Sequence, residues 1–198
     1  MLDLDTLLKS ANKLFLKKQF LDSITIYEKI LEIDPNNLNA INNKGYALSK
    51  SKNYADAIKC YDVGLKNNQY KKTLLINKIS ALRKLKMFTP ALDICDNILK
   101  DQPNDLIVLY HKLRILYALE KYEESLEICN KILSVYPNNA DILFDKASNL
   151  ASLGKNENCL TTLHLAIKLS KKFKLKARNS RSFQKLQKNK QFLKLIKI

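Results

Sequence analysis

Residues 106–139 read LIVLYHKLRILYALEKYEESLEICNKILSVYPNN. Leu109, Leu113 and Leu116 recur at helical spacing, which predicts an amphipathic helix. A polar break follows at Glu120-Lys121, and then Tyr122, Ser125, Leu126, Cys129, Ile132 and Leu133 form a second apolar stripe. Pro137-Asn138-Asn139 ends it, because proline has no N–H to continue a helix and asparagine tolerates turn dihedrals. The stretch therefore predicts two helices and a stop.

Stepping this pattern along the chain by 34 residues finds copies at 4–37, 38–71 and 72–105, and another from 140 that closes near Ser170-Lys171, with no insertion or deletion. Prolines 35, 103 and 137 stand two periods and then one period apart. The fourth place of each copy holds Leu7, Ile41, Leu75, Leu109 and Leu143, and the eleventh holds Leu14, Leu48, Leu82, Leu116 and Leu150. Both places lie on one face of the first helix. In the second helix the seventeenth place holds Phe20, Tyr54, Phe88, Tyr122 and Asn156, and the twentieth holds Ser23, Ala57, Ala91, Ser125 and Cys159.

A 34-residue two-helix period with small residues at the eighth and twentieth places and proline at the thirty-second resembles the tetratricopeptide repeat. Ala11 with Ser23, Gly45 with Ala57 and Ala147 with Cys159 fit its small-against-small contact. Ile79 and Leu113 are bulky at the eighth place, so the helices of the third and fourth repeats are expected to stand further apart or shift register. The resemblance implies an all-α, right-handed α-solenoid of stacked antiparallel helix pairs: about ten repeat helices over residues 1–171, plus capping helices in a basic C-terminal segment, 172–198.

Composition bounds the function. The chain has 198 residues and is 46% apolar, enough for a sizeable core. Cysteines 60, 95, 129 and 159 are at least 30 residues apart, which is not metal-ligand spacing, and they read as apolar fillers in a reducing compartment. The start lacks the basic and apolar regions of a signal peptide and no apolar run is long enough to span a membrane, so a cytoplasmic location is expected. Residues 1–170 carry 24 basic and 19 acidic side chains, whereas 171–198 carry 11 basic and none acidic. Lysine outnumbers arginine 31 to 4, as an AT-rich coding bias also produces.

The local punctuation gives further expectations. Thr89-Pro90 predicts the start of the third repeat's second helix, with Thr89 as cap. Asn67-Asn68-Gln69-Tyr70 replaces the proline turn of the second repeat, and Gly64 costs its helix about 1 kcal/mol relative to alanine, so this joint is expected to be the softest. Past Lys171 the repeat pattern fails, but Phe183, Leu186, Phe192, Leu195 and Ile196 keep an apolar spacing, which predicts capping helices broken near Asn189. The competing reading is a basic amphipathic segment that docks on nucleic acid or an anionic surface.

The sequence has no phosphate loop, nucleophile elbow or HExxH, and its two histidines, His111 and His164, fall in different repeats. No enzymatic activity, cofactor or metal is expected. In the family it resembles, the first helices line a concave groove through the second, fifth, sixth, ninth, twelfth and thirteenth places. On this chain those places include Asn12 in the first repeat, Asn42, Asn43 and Tyr46 in the second, and Asn77 and Arg83 in the third. Tyr110, His111 and Arg114 follow in the fourth, and Phe144 in the fifth. Asparagine both donates and accepts, and tyrosine and arginine are common interface anchors. The resemblance therefore implies a non-enzymatic scaffold that binds a partner peptide or helix in the groove, with Tyr46, Tyr110 and Phe144 as exposed aromatics. Asn12, Asn43 and Asn77 match places used by relatives that clamp chaperone C-terminal carboxylates, but Leu8 replaces the clamp lysine, so that ligand is not expected.

Overall fold

The computed structural model describes residues 3–66 and 71–197, and among these there is no β-strand. The turn sequence Asn67-Asn68-Gln69-Tyr70 lies outside the described residues. The helices follow the repeat two by two: α1 (Leu4–Leu16) and α2 (Phe20–Ile33), α3 (Leu38–Lys50) and α4 (Tyr54–Leu65), α5 (Lys71–Lys84) and α6 (Phe88–Asp101). The series continues with α7 (Leu106–Ala118) and α8 (Tyr122–Val135), then α9 (Ala140–Ser152) and α10 (Asn156–Leu169). Each first helix packs on the second helix that follows it, and α3, α5 and α9 also pack on the second helix before them.

Two devices repeated at fixed places cut the helices to length. Asn37, Asp105 and Asn139, at the thirty-fourth place, accept from the N–H groups of Ala40, Val108 and Ile142. They thus satisfy an otherwise orphaned donor at the start of α3, α7 and α9, a contact worth about 1 kcal/mol. Within each repeat, the fifteenth residue turns into the left-handed region: Lys18, Lys52, Lys86, Glu120 and Gly154 have φ between 60° and 71°. The next N–H then reaches back to the eleventh-place carbonyl, as in Gln19 to Leu14 at 3.0 Å and Lys121 to Leu116 at 2.9 Å. This is the Schellman closure, and four of the five repeats make it without the glycine that usually occupies such a place.

That turn also corrects the reading of Thr89-Pro90. α6 begins at Phe88 with Met87 as its N-cap residue, so Thr89 does not cap it and Pro90 sits at the third helical position. Proline is tolerated there because the first four N–H groups of a helix have no intrahelical partner. The turn at the fifteenth place, rather than the Thr-Pro pair, sets where every second helix begins.

The core is arranged by trading size between two places. At the eighth, Ala11, Ile79, Leu113 and Ala147 are fully buried, and at the twenty-fourth Tyr27, Tyr61, Cys95, Cys129 and Leu163 are at most 1% exposed. A Cβ on Gly45 would stand 2.5 Å from Tyr61 Cε1, so the two places meet. Where the eighth place is Ala or Gly the twenty-fourth is Tyr or Leu, and where the eighth is Ile79 or Leu113 the twenty-fourth is Cys. As expected from their bulky eighth places, α5–α6 and α7–α8 approach over a smaller part of their backbones than the other three pairs. Gly64 has a packing role that its helix propensity alone does not reveal. A Cβ there would lie 2.8 Å from Leu74 Cδ1 and 3.0 Å from Ile41 Cγ2, so the missing side chain lets α4 sit close to α3 and α5.

The chain divides into two compact bodies, Met1–Pro103 and Asn104–Ile198. The first holds α1 to α6. The second holds α7 to α10 and a C-terminal cap made of α11 (Lys172–Arg178), a 3₁₀ turn (Arg181–Leu186) and α12 (Lys190–Ile196). Asn189 accepts from Phe192 N–H at 3.0 Å and so starts α12 at the expected break. Phe173, Ala177, Phe183, Leu186, Phe192 and Ile196 all turn inward onto α9 and α10, joining Leu143, Phe144 and Leu163 in one core. Phe173, which the sequence pattern did not single out, is fully buried. No helix among the described residues is long and apolar enough to cross a membrane.

Candidate functional site

The inner helices of the first body carry a chain of amides. Asn43 Nδ2 donates to Asn12 Oδ1 at 3.0 Å, and the Tyr27 hydroxyl donates to the same oxygen at 2.6 Å. Asn42 Nδ2 donates to Asn43 Oδ1 at 3.2 Å, and Asn77 Nδ2 donates to Asn42 Oδ1 at 3.0 Å. The four asparagines expected in the groove are thus brought together on α1, α3 and α5, each held by its neighbour and half-buried. The bonds run in one direction, and each amide keeps hydrogen-bonding capacity beyond them, since an amide offers two N–H donors and two acceptor sites. Burial raises the Tyr27 hydroxyl pKa, partly offset by the neighbouring Asn43 amide.

Beside this chain Tyr46 is 39% exposed, its ring 5.4 Å from Phe15, with Lys50 Nζ 4.9 Å above it. Arg83 is half-buried on α5. An array of fixed amides next to an exposed aromatic is suited to hold a polar, extended chain.

The second body presents a different face. The Arg114 guanidinium lies 4.3 Å over the Tyr110 ring and pairs with Asp145, Nη2 to Oδ2 at 3.1 Å and Nε to Oδ2 at 3.2 Å. Burial pushes the Asp145 carboxyl above its ordinary value of 3.8, and Arg114 pulls it back only in part. His111 stands edge-on to Tyr110 at 6.5 Å. Phe144 does not present its ring to solvent. It is 3% exposed, stacked 4.9 Å from Phe173 and edge-on to Phe183 at 5.6 Å, with Lys176 Nζ 4.2 Å over it. Its expected role as an exposed anchor gives way to burial because the cap folds back over α9. What stays open is a cavity of about 320 Å³ lined by Arg114, Tyr117, Phe144, Asp145, Ser148 and Lys176 together with cap serines. Tyr117 and Ser182 share a 2.7 Å hydrogen bond at its rim.

His111 and His164 lie on α7 and α10, and no group of three or more His, Cys, Asp or Glu among the described residues is placed to hold a metal ion. None of the four cysteines is in a disulfide, and burial pushes the Cys129 and Cys159 thiols up to about 12, which keeps them protonated.

Residues 26–59 match one tetratricopeptide repeat family model and residues 107–139 another. No curated protein matches the chain in sequence. Among solved structures, YrrB, described as a TPR protein with an unusual peptide-binding site, superposes with a TM-score of 0.70 at 20% identity, over 90% of this chain and 93% of that one. A double mutant of MamA from RS-1 gives 0.76 at 16% identity, over 87% and 97%. A tetratricopeptide repeat protein from Parabacteroides merdae gives 0.73 at 17%, over 98% and 84%. At these identities the likeness establishes the fold.

Proposed function

We propose that this chain, a tetratricopeptide-repeat protein, is a non-catalytic scaffold that holds an extended peptide segment of a protein partner against the first helices of its N-terminal body. The observation that carries this reading is the directional amide chain from Asn77 through Asn42 and Asn43 to Asn12, lying beside exposed Tyr46. Amides fixed by one another lose little further side-chain freedom on binding. Their remaining donors and acceptors can pair with peptide N–H and C=O groups irrespective of partner side chains. Tyr46 adds an amphipathic anchor of the kind that dominates interface energetics. The peptide-binding site of YrrB, a similar fold, supports the same use of the surface.

The test is selection of peptides from a random library on the full-length protein, followed by affinity measurement on variants. Tyr46→Ala with Asn77→Ala is expected to weaken the selected peptide at least tenfold, about 1.4 kcal/mol. Tyr46 is exposed and Asn77 ends the chain, so the melting temperature should change little. Peptide affinity that survives both substitutions sinks the groove as the site.

A further inference from the structure

The C-terminal cap carries a second surface that the groove does not use. Residues 104–170 of the same body hold 7 basic and 8 acidic side chains, while 171–198 hold 11 basic and none acidic. A coding bias toward lysine acts on the whole chain and does not account for the loss of every acidic side chain in the cap, since residues 1–103 hold 17 basic but also 11 acidic ones. The structure shows where those cations are. The cap's apolar side chains are turned inward, with Phe173, Phe183 and Phe192 fully buried. Lys172 pairs with Asp141, Lys174 donates to the Lys197 carbonyl, and Lys176 lies over Phe144. Arg178, Arg181, Lys185, Lys188, Lys190 and Lys194 are all exposed, and none has a carboxylate partner among the described residues.

We propose that the exposed cations of the cap, from Arg178 to Lys194, dock on the phosphate backbone of duplex nucleic acid without reading its sequence. Six exposed cations without an ion-pair partner on a folded support attract a polyanion, and release of its counterions drives such binding. The buried phenylalanines decide between polyanions. With no exposed aromatic ring in the cap there is nothing on which single-stranded bases would stack. The same burial removes the apolar face a membrane-interfacial helix needs, leaving Leu175 and Leu193 as the exposed large apolar side chains among the cap's described residues. The proposal is independent of the peptide groove, which lies on other helices.

The experiment titrates the full-length protein into a fluorescent duplex of arbitrary sequence, about 25 base pairs long, at about 50 and about 200 mM salt. With about six phosphate contacts, affinity should fall about 10³-fold between the two. The variant Arg181→Gln, Lys185→Gln, Lys188→Gln should lower the salt slope by roughly 3 and weaken low-salt binding at least tenfold. Lys17→Gln, Lys29→Gln, Lys100→Gln, exposed lysines of the first body, should leave both unchanged. Circular dichroism confirms folding of each variant. If the cap triple loses helix, Lys190→Gln with Lys194→Gln on α12 takes its place. No low-salt binding, equal weakening by both triples, tighter binding to a single strand, or tighter binding to phosphatidylserine vesicles than to the duplex each overturns the proposal.

Discussion

Both bodies are built from the same repeat, yet their inner faces end differently. In the first, α1, α3 and α5 expose Tyr46 beside a chain of four asparagines that hydrogen-bond one another. In the second, the place equivalent to Asn42 is Phe144, and the cap's Phe173 and Phe183 close over it. One residue type at the fifth place of a repeat separates a polar, half-exposed surface from one taken by the chain's own terminus. An amide loses little when left half in water, whereas a phenylalanine ring gains about 1.5–3 kcal/mol from being covered.

The largest expected effect breaks that difference. Phe144→Ala should cost about 3–5 kcal/mol of stability in chemical denaturation, as for any large aromatic core residue. An unchanged midpoint would mean that Phe144 is a surface anchor after all. Within the first body, Gly45→Ala should cost about 1–3 kcal/mol by overpacking, because the new Cβ would meet the fully buried Tyr61 ring at 2.5 Å. Adding Tyr61→Cys, the size found opposite Leu113, should make the pair non-additive, and additive losses in the double-mutant cycle would contradict the trade in volume between those places.

Smaller effects sharpen the comparison. Asn43→Ala removes two hydrogen bonds from a half-buried chain and should cost about 1–2 kcal/mol, seen as a lower melting temperature together with weaker peptide capture. The smallest is a change of slope. Asp145 has its carboxyl raised by burial, so the folded state binds that proton more tightly than the unfolded chain does. Its contribution is full below 3.8 and declines as pH rises through the folded value. Asp145→Asn should therefore flatten the fall of stability with pH in the window opening at 3.8, measured by urea denaturation across a pH series. An identical slope would place the titrating group elsewhere.

The repeat was legible because helix packing writes itself at a constant stride. The fourth, eleventh and twentieth places recur through all five copies since each faces a neighbour in the same way. The cap was legible from the spacing of Phe183, Leu186, Phe192 and Ile196, all of which are buried. The left-handed turn at the fifteenth place was not, because Lys18, Lys52, Lys86 and Glu120 give no glycine or asparagine to mark it. Nor was Asn149, fully buried at a tenth place that holds Ala47, Ala81 and Ile115 in other repeats. Its Nδ2 donates to the Asp145 carbonyl and to Cys129 Sγ, contacts that no spacing rule foretells.

By itself the amino-acid sequence determined the number of helix pairs, the faces they bury and the concentration of positive charge at the C-terminus. These are local or periodic properties, set by which side chains recur at which interval. Only the tertiary structure decided that the asparagines satisfy one another, that Cys95 and Cys129 sit opposite bulky Ile79 and Leu113, and that the cap covers Phe144. Such outcomes depend on distances between residues remote in the chain, where the competing partners of a side chain are chosen by packing.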